Sequence, residues 1–478
     1  MSTEKKSIYF MGIGGTGMAA TAGLCLEDGH EVSGSDNPIY PPMSDLIQDL
    51  GIPVKTPYSS ANIKNIKPDL VVVANALSRG HEELEEAISR KLKLTSFPEL
   101  INQLFLDKRD SIVVAGTHGK TTTSSYISYV LDEIGHNPCY FIGGIPKNFP
   151  RSFRLTDGNL FVLEGDEYDT AYFDKAPKFL HYKPTWAIIN NIEFDHADIY
   201  KNIEEIKERF KQLMTMTPNP KQIIVNIDDQ NINRCLEELG IKEKVTTTST
   251  KYKSSNRAQI QLLEHSASPK KWTARFSTQN LGKIQLETQL FGMHNISNLA
   301  QVLALVDQLH EGKPSANIPL IAEAFASFKG VTRRLEVVGE SNNVTIYEDF
   351  AHHPTAVKTV IDGFRKSEPN RRLLVAFEPK NATSRRNIFL EEYAKSFAHA
   401  DLVYIGACPK DIRIAEEDRM ETSKLAERLG EKGKSFETNE LLLDKISQDA
   451  RPGDAVIFMS SGSFSGIQHK LSEKLSKA

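Results

Sequence analysis

Residues Ser111 to Ser125 read SIVVAGTHGKTTTSS: a β-branched apolar run, a glycine turn, then a helix opening in threonines. Residue types in that order suit polyphosphate. Gly116 and Gly119 let backbone N–H groups close on phosphate oxygens, the helix start adds its positive dipole end, Lys120 supplies a mobile charge and Thr121 offers a hydroxyl to Mg²⁺. The usual spacing puts a glycine five residues before the final Gly-Lys, where this chain has Val114, so only the shorter Gly-Thr-His-Gly-Lys-Thr core matches. The strand, loop and helix context supports the assignment.

A second glycine turn lies near the start of the chain. Gly12, Gly14 and Gly17 follow the strand SIYFMGI and open the helix MAATAGLCLEDG, and Asp36 ends the next strand, HEVSGSD. This is the outline of a dinucleotide fingerprint, with backbone approach to a pyrophosphate and an acid for a ribose hydroxyl. It implies a nucleotide diphosphate without saying which; a nucleotide sugar and NAD fit equally.

Acids and histidines recur at strand ends. NLFVLEGDEYD ends an apolar run on Glu164, followed by Asp166, Glu167 and Asp169; an acid there, beside a phosphate loop, can hold Mg²⁺. Glu164 is the candidate, while Glu167 and Asp169 read as solvated loop acids. WAIINN runs into IEFDHADIY, giving Asn191, Asp195 and His196, and VTIYED runs into FAHHPTAV, giving Asp349, His352 and His353 before a proline-opened helix. The adjacent histidines lack partners at zinc-ligand spacing and suit a ligand-facing or capping role.

These residues need elements to place them. At 478 residues the chain should hold about three domains by the ~150-residue guide. Alternating βα patterns fill the first stretch, with Ser44 as a cap and a helix from Phe97 to Phe105, and the polar segment LDKRDS marks the first boundary. From Lys244 to Leu290 short alternating runs (AQIQLLEH, KWTARFST, KIQLETQL) predict a small antiparallel sheet, and Asn295 is placed as the cap of a long helix. The turn into the third unit lies near FKGVTRRLEVVGE. The expected fold is therefore α/β with three domains: a Rossmann-like unit over 1–107, a central phosphate-loop ATPase-type parallel sheet with a small antiparallel sheet over 108–331, and a second Rossmann-like unit over 332–478.

Composition excludes several classes. Lys and Arg number 58 against 62 Asp and Glu, a net charge of -4, so no basic field advertises nucleic acid or anionic lipid. Cys25, Cys139, Cys235 and Cys408 lie far apart with no Cys-x-x-Cys pair, which argues against zinc and a disulfide framework and fits a reducing cytoplasm. The opening MSTEKKSIYF has no long apolar segment behind it, and no run approaches ~18 apolar residues, so a soluble, non-exported protein is expected.

A phosphate loop with acidic strand ends, flanked by a nucleotide-diphosphate unit and a third α/β unit, suggests ATP-driven joining of a carboxylate and an amine. Phosphoryl transfer would make the carboxylate an acyl phosphate, with Mg²⁺ and Lys120 offsetting charge, and the amine would then attack. An NAD-dependent oxidoreductase would explain the first glycine loop only. It leaves the second loop, Glu164 and the third unit without a role.

On these residues nearly the whole chain resembles the Mur ligases, the ATP-dependent amide-forming enzymes of bacterial cell-wall synthesis. AGTHGKTTT is similar to the family's ATP loop, and LEGDEYD, NNIEFDH, HNISNLA, VTRRLE and DFAHHPTA stand in the order of its later motifs. The resemblance is strongest to members acting directly on UDP-N-acetylmuramate. It implies joining to the tripeptide L-alanyl-γ-D-glutamyl-meso-diaminopimelate in peptide recycling, with L-alanine as the alternative acceptor. It further implies that Gly116, Thr117, His118, Gly119, Lys120, Thr121, Thr122, Asn295, Arg334, Asp349 and His352 bind ATP, and that Thr121, Glu164 and His196 serve Mg²⁺. Lys120, Glu164 and His196 would be catalytic, and Gly12, Gly14, Thr16, Asp36 and Asn191 would face the UDP-sugar. Some relatives carry a carbamylated lysine near the place of Lys211; the helical setting IKERFKQLM makes this one a solvated lysine. Arg385 and Arg386 read as a solvated basic face.

Overall fold

The computed structural model describes residues 4–251, 258–268, 271–312, 317–408 and 414–476. Among the described residues the apolar runs form three main sheets, beside a two-stranded ribbon of Asp169–Ala171 and Asp174–Pro177. The first has five parallel strands in the order Val54–Lys55, Glu31–Ser35, Ser7–Met11, Leu70–Val73, Leu94–Thr95. Ser7–Met11 lies in the middle, and the chain leaves it first toward one edge and later toward the other. Such a reversal opens a crevice at the strand's carboxyl end, where the turn from Gly12 to Gly17 sits.

The central sheet has ten strands, and its parallel part runs from Thr246–Ser249 through Ile223–Asn226, Trp186–Ile189, Asp110–Ala115 and Leu160–Gly165 to Cys139–Phe141. Ile112, Val113, Val114 and Ala115 are wholly buried, as expected for a strand covered on both faces. The antiparallel strands Ile260–Ala267, Trp272–Ser277 and Lys283–Thr288 do not form a separate sheet. Thr248 pairs with Ile260 in parallel, so the three strands extend the main sheet and bury Trp272, Phe276, Ile284 and Leu286 on the face covered by the helices Met293–Leu309 and Ile318–Ala326. The third sheet runs Glu336–Ser341, Val344–Asp349, Ala455–Met459, Leu373–Phe377, Leu402–Ile405, Gly433–Ser435, antiparallel only at its first pair.

Local signals placed most helices, with three corrections. The expected Phe97–Phe105 helix is α-helical only over Phe97–Ile101, capped by Ser96, and then widens into a looser turn at Asn102–Leu106. Ser44 does not cap: Pro42 holds the cap position of Met43–Asp49, and the Ser44 hydroxyl donates to Asp45 instead. Asn295 lies inside the first turn of Met293–Leu309, whose cap is Gly292 at φ 94°, and its amide donates to the Phe291 carbonyl (2.7 Å).

The first two units interlock closely. A Cβ on Gly23 of the helix Thr16–Glu27 would come within 2.2 Å of the Phe153 ring, so only glycine admits this approach. Glu27 accepts from the Leu155 N–H (2.9 Å) beside it. The third unit is reached through Val331–Glu336, where Val331 bridges to Pro146 and the Thr332 N–H donates to the Ile145 carbonyl (3.0 Å).

Candidate active site

The strand Asp110–Ala115 delivers the chain to Gly116 (φ 133°), and the helix Lys120–Glu133 starts on Gly119 (φ 82°). Both angles favour glycine. The turn is gripped from the loop after Trp186–Ile189: Thr117 N donates to the Asn191 carbonyl (3.2 Å), His118 N to Asn191 Oδ1 (2.8 Å), and Asn191 Nδ2 to the His118 carbonyl (3.1 Å). Asn191, a candidate for the UDP-sugar, lies in the central unit with both ends of its amide engaged by the phosphate loop. Thr122 is nearly buried behind the loop, and Thr117 Oγ1 accepts from Glu193 N (2.8 Å).

Glu164, at the end of its strand, accepts from Thr121 Oγ1 (3.0 Å) and from Gly143 N (2.8 Å). Burial pushes its carboxyl up, with Lys120 opposing. The two oxygens 3.0 Å apart match an edge of an octahedron with bonds of about 2.1 Å, and a hydroxyl with a carboxylate is a hard-oxygen donor set, so this pair fits Mg²⁺. Glu167 is not the solvated acid its loop suggested. It is 2% exposed, and one oxygen takes Lys120 Nζ (2.7 Å) while the other meets His196 Nε2 (3.1 Å). Asp166 pairs with Lys178 (2.7 Å), and ligand atoms of Asp166, Glu167 and His196 lie within 4.8 Å of one another.

These groups set one another's charge. Burial disfavours ionised Glu167, but Lys120 and His196 outweigh it and hold the carboxyl low. Burial likewise opposes charge on His196, yet its hydrogen bond to Glu167 and the nearby acids raise the imidazole to about 9. Lys120 is held above its usual value by Glu167 and Asp166 despite burial. His196 also sits at φ 55°, an uncommon backbone conformation for such a residue and a mark of a constrained position.

The third unit brings Arg334, Asp349 and His352 to the same face. Arg334 stands between two residues of left-handed backbone, Arg333 (φ 58°) and Leu335 (φ 46°), with its guanidinium 5.0 Å from the Phe350 ring centroid. Burial lowers the Arg334 pKa, and the charges of Asp349 and Glu164 oppose that. Asp349 accepts from Leu335 N and Ala351 N (both 2.7 Å), and burial raises its carboxyl against Arg334. His352 rests on the Phe350 carbonyl (2.9 Å) and faces Asp195 at 3.9 Å, and burial lowers its pKa. Arg333 is committed elsewhere, to Glu348 (2.6 Å). His294, which the sequence did not single out, is half-buried next to Asn295, and desolvation together with Arg334 lowers it to about 4. Lys211 lies apart from these groups, held by Glu208 (2.5 Å) and Glu238 (2.7 Å).

In the first unit Gly12 (φ 84°) donates to the Ser35 carbonyl (2.9 Å), Gly14 N donates to Asp36 Oδ2 (2.7 Å), and Thr16 opens the helix Thr16–Glu27. Asp36 Oδ1 accepts from Tyr58 OH (2.9 Å), so the acid shapes the turn. A buried Glu83 underlies it, accepting from Ser35 Oγ (2.5 Å) and Asn62 Nδ2 (2.6 Å).

One face thus gathers a phosphate-shaped turn, an ion-paired lysine, a hydroxyl–carboxylate pair and an arginine, the parts required to stabilise a transferring phosphoryl group. No helix among the described residues is long and apolar enough to cross a membrane. Comparison with known proteins gives the context: the Mur ligase middle domain matches residues 114–306, the Mur ligase glutamate ligase domain 333–462, and the Mur ligase family catalytic domain 7–109. The chain is 34% identical over 471 residues to the UDP-N-acetylmuramate–L-alanyl-γ-D-glutamyl-meso-2,6-diaminoheptandioate ligase of Escherichia coli K12, covering 98% of each. It is 30% identical to the UDP-N-acetylmuramate–L-alanine ligase of Desulforapulum autotrophicum, covering 99% of this chain and 100% of that protein. Among solved structures, a murein peptide ligase from Psychrobacter arcticus superposes with a TM-score of 0.70 at 30% identity, covering 99% of both chains. With its three domains matched in order and full-length relatives above the level of chance likeness, this chain belongs to the Mur ligase family of ATP-dependent amide-forming enzymes.

Proposed function

We propose that this protein joins the carboxylate of UDP-N-acetylmuramate to the amine of L-alanyl-γ-D-glutamyl-meso-diaminopimelate, using ATP and Mg²⁺, in the reuse of cell-wall peptide. The observation that carries this reading is the full-length likeness to the E. coli ligase of that name. ATP and a UDP-sugar meet in the cytoplasm, which is the compartment the reading implies.

In this reading residues 1–107 hold the UDP-sugar, 108–331 the ATP phosphates, and 332–478 close over ATP and present the peptide. A sugar carboxylate oxygen attacks the γ-phosphorus of ATP, ADP leaves, and an acyl phosphate forms. The peptide amine then attacks the acyl carbon, inorganic phosphate leaves, and the amine loses its proton. Backbone N–H groups around Gly116 and Gly119 cradle the phosphates, Lys120 moves from Glu167 to the γ-phosphoryl group, and Arg334 approaches from the third domain. Mg²⁺ held at Thr121 and Glu164 would offset phosphate charge. Glu167 keeps Lys120 and His196 charged and in place until the nucleotide arrives. Enclosure between three domains would exclude water from the acyl phosphate.

L-Alanine as acceptor is the second reading, favoured by the relatives of that name. Phosphate release with ATP, Mg²⁺ and UDP-N-acetylmuramate, compared with added tripeptide or added L-alanine, separates the two; release with L-alanine alone would replace the first by the second. Lys120→Ala should reduce release by at least about hundredfold while UDP-sugar binding persists, and a variant with normal turnover would remove the phosphate-loop assignment.

A further inference from the structure

The loop Asn191–Ala197 touches two domains at once. On one side it grips the phosphate turn: Asn191 brackets the His118 backbone, and Glu193 N donates to Thr117 Oγ1 (2.8 Å), whose hydroxyl faces the Glu193 carbonyl (3.2 Å). On the other side it meets the third domain at the start of the helix Pro354–Ser367. Thr355 Oγ1 donates to Glu193 Oε2 (2.6 Å), His353 Nε2 meets the Phe194 carbonyl (3.2 Å), and Ala197 N donates to Thr383 Oγ1 (3.3 Å). The same Glu193 oxygen lies 3.5 Å from His118 Nε2 of the phosphate turn and 3.6 Å from His353 Nδ1. The two imidazoles, one from each domain, are 4.8 Å apart between centroids.

Two histidines and a glutamate at this spacing resemble a metal site, but the tautomer of His353 argues otherwise. Its Nδ1 accepts from Thr355 N (3.3 Å), so the proton resides on Nε2, directed at the Phe194 carbonyl, and neither nitrogen has a lone pair left for a cation. The arrangement is a mechanical one. The carboxylate takes a hydroxyl of the third domain and lies beside, without bonding, the imidazole of the phosphate turn, while the Glu193 backbone is bonded to the turn itself.

We propose that Glu193 is a positioning residue that ties the shape of the phosphate turn to the docking of the third domain, so that the turn takes its ATP-holding form when Thr355 and His353 are seated on Glu193. The proposal rests on the assignment of the phosphate turn to ATP. It explains why a residue on neither the sugar nor the phosphate turn spends one carboxylate oxygen on two domains. Docking of the domain that brings Arg334 then also fixes His118 and Thr117.

Steady-state kinetics on the full chain test it, with Michaelis constants for ATP and for UDP-N-acetylmuramate measured in the wild type, Thr355→Val, Thr355→Ser, Glu193→Gln and the double variant Glu193→Gln/Thr355→Val. Thr355→Val should raise the ATP constant about fivefold and Glu193→Gln about tenfold, with the sugar constant unchanged. Thr355→Ser, which keeps the hydroxyl, should match the wild type, and the double variant should be no worse than Glu193→Gln alone. An unchanged ATP constant in Thr355→Val, effects that multiply in the double variant, or a parallel rise in both constants would each overturn the coupling. A wild type whose turnover does not depend on ATP would strike down the phosphate-turn assignment together with the coupling, which distinguishes the two failures.

Discussion

Glu167 holds two cations on one nearly inaccessible carboxylate, and removing its charge should be felt by both. Glu167→Gln keeps the shape but leaves Lys120 and His196 without their counter-charge. Turnover is expected to fall about hundredfold with UDP-sugar affinity unchanged, and turnover within a few-fold of the wild type would show that Lys120 is placed without it. Glu193 gives a pH signature. Burial opposes its ionisation, but His118 and Thr355 outweigh this and hold the carboxyl at about 2, against an ordinary 4.5. A lowered folded value stabilises the fold fully above the ordinary value and is lost as pH falls through the folded one. Asp229 nearby works against this carboxylate, and His353, lowered to about 4 by burial with Glu193 opposing, adds its own loss as pH falls from about 6.5. The melting-temperature gap between wild type and Glu193→Gln should therefore close as pH falls from about 4.5 toward about 2; a gap that does not narrow over that range would show that the charge is not what Glu193 contributes. At this scale the sequence was legible where chemistry is local. Gly-Lys-Thr and an acid ending an apolar strand announce themselves, whereas Glu167 has the same surroundings in sequence as any loop acid until Lys120, 47 positions away, closes on it.

The central sheet shows what periodicity conveys and what it does not. Alternation located the three antiparallel strands, since residues two apart share a face, and the burial of Trp272, Ala274 and Phe276 follows that rule. Their attachment to the sheet edge through Thr248 and Ile260 left no trace in the pattern, because edge pairing uses backbone groups that every residue carries. Leu286, fully buried beneath the helix Ile318–Ala326, makes the extension part of the core rather than a brace. Leu286→Ala should cost about 2–5 kcal/mol and lower the melting temperature, with the Michaelis constants at low temperature unchanged; a near-neutral variant would mean that these strands stand apart from the core. The caps were less legible. Ser44 and Asn295 have capping side chains, but Pro42 and Gly292 had already fixed the chain's entry two and three residues earlier.

Across the molecule, domain order could be read from where patterns stop and restart, while the pairings between domains could not. Gly23 against Phe153 and Glu193 against Thr355 join residues more than a hundred positions apart, through contacts that no local spacing encodes. The interlock at Gly23 has a thermal counterpart. One continuous cluster of buried side chains runs from Ile8 and Leu24 of the first unit through Phe153 and Val113 to Val245 of the second, whereas the third packs around clusters of its own, about Phe377 and about Phe458. A shared core loses its order all at once. Calorimetry should show two heat-absorption peaks, one for the first 330 residues or so melting together and one for the remainder; ATP, gripped from both sides, should draw the peaks toward each other, while the UDP-sugar moves only the first. Three domains by shape would then behave as two by cooperativity, and the joint that gives way first is the one the nucleotide has to bridge.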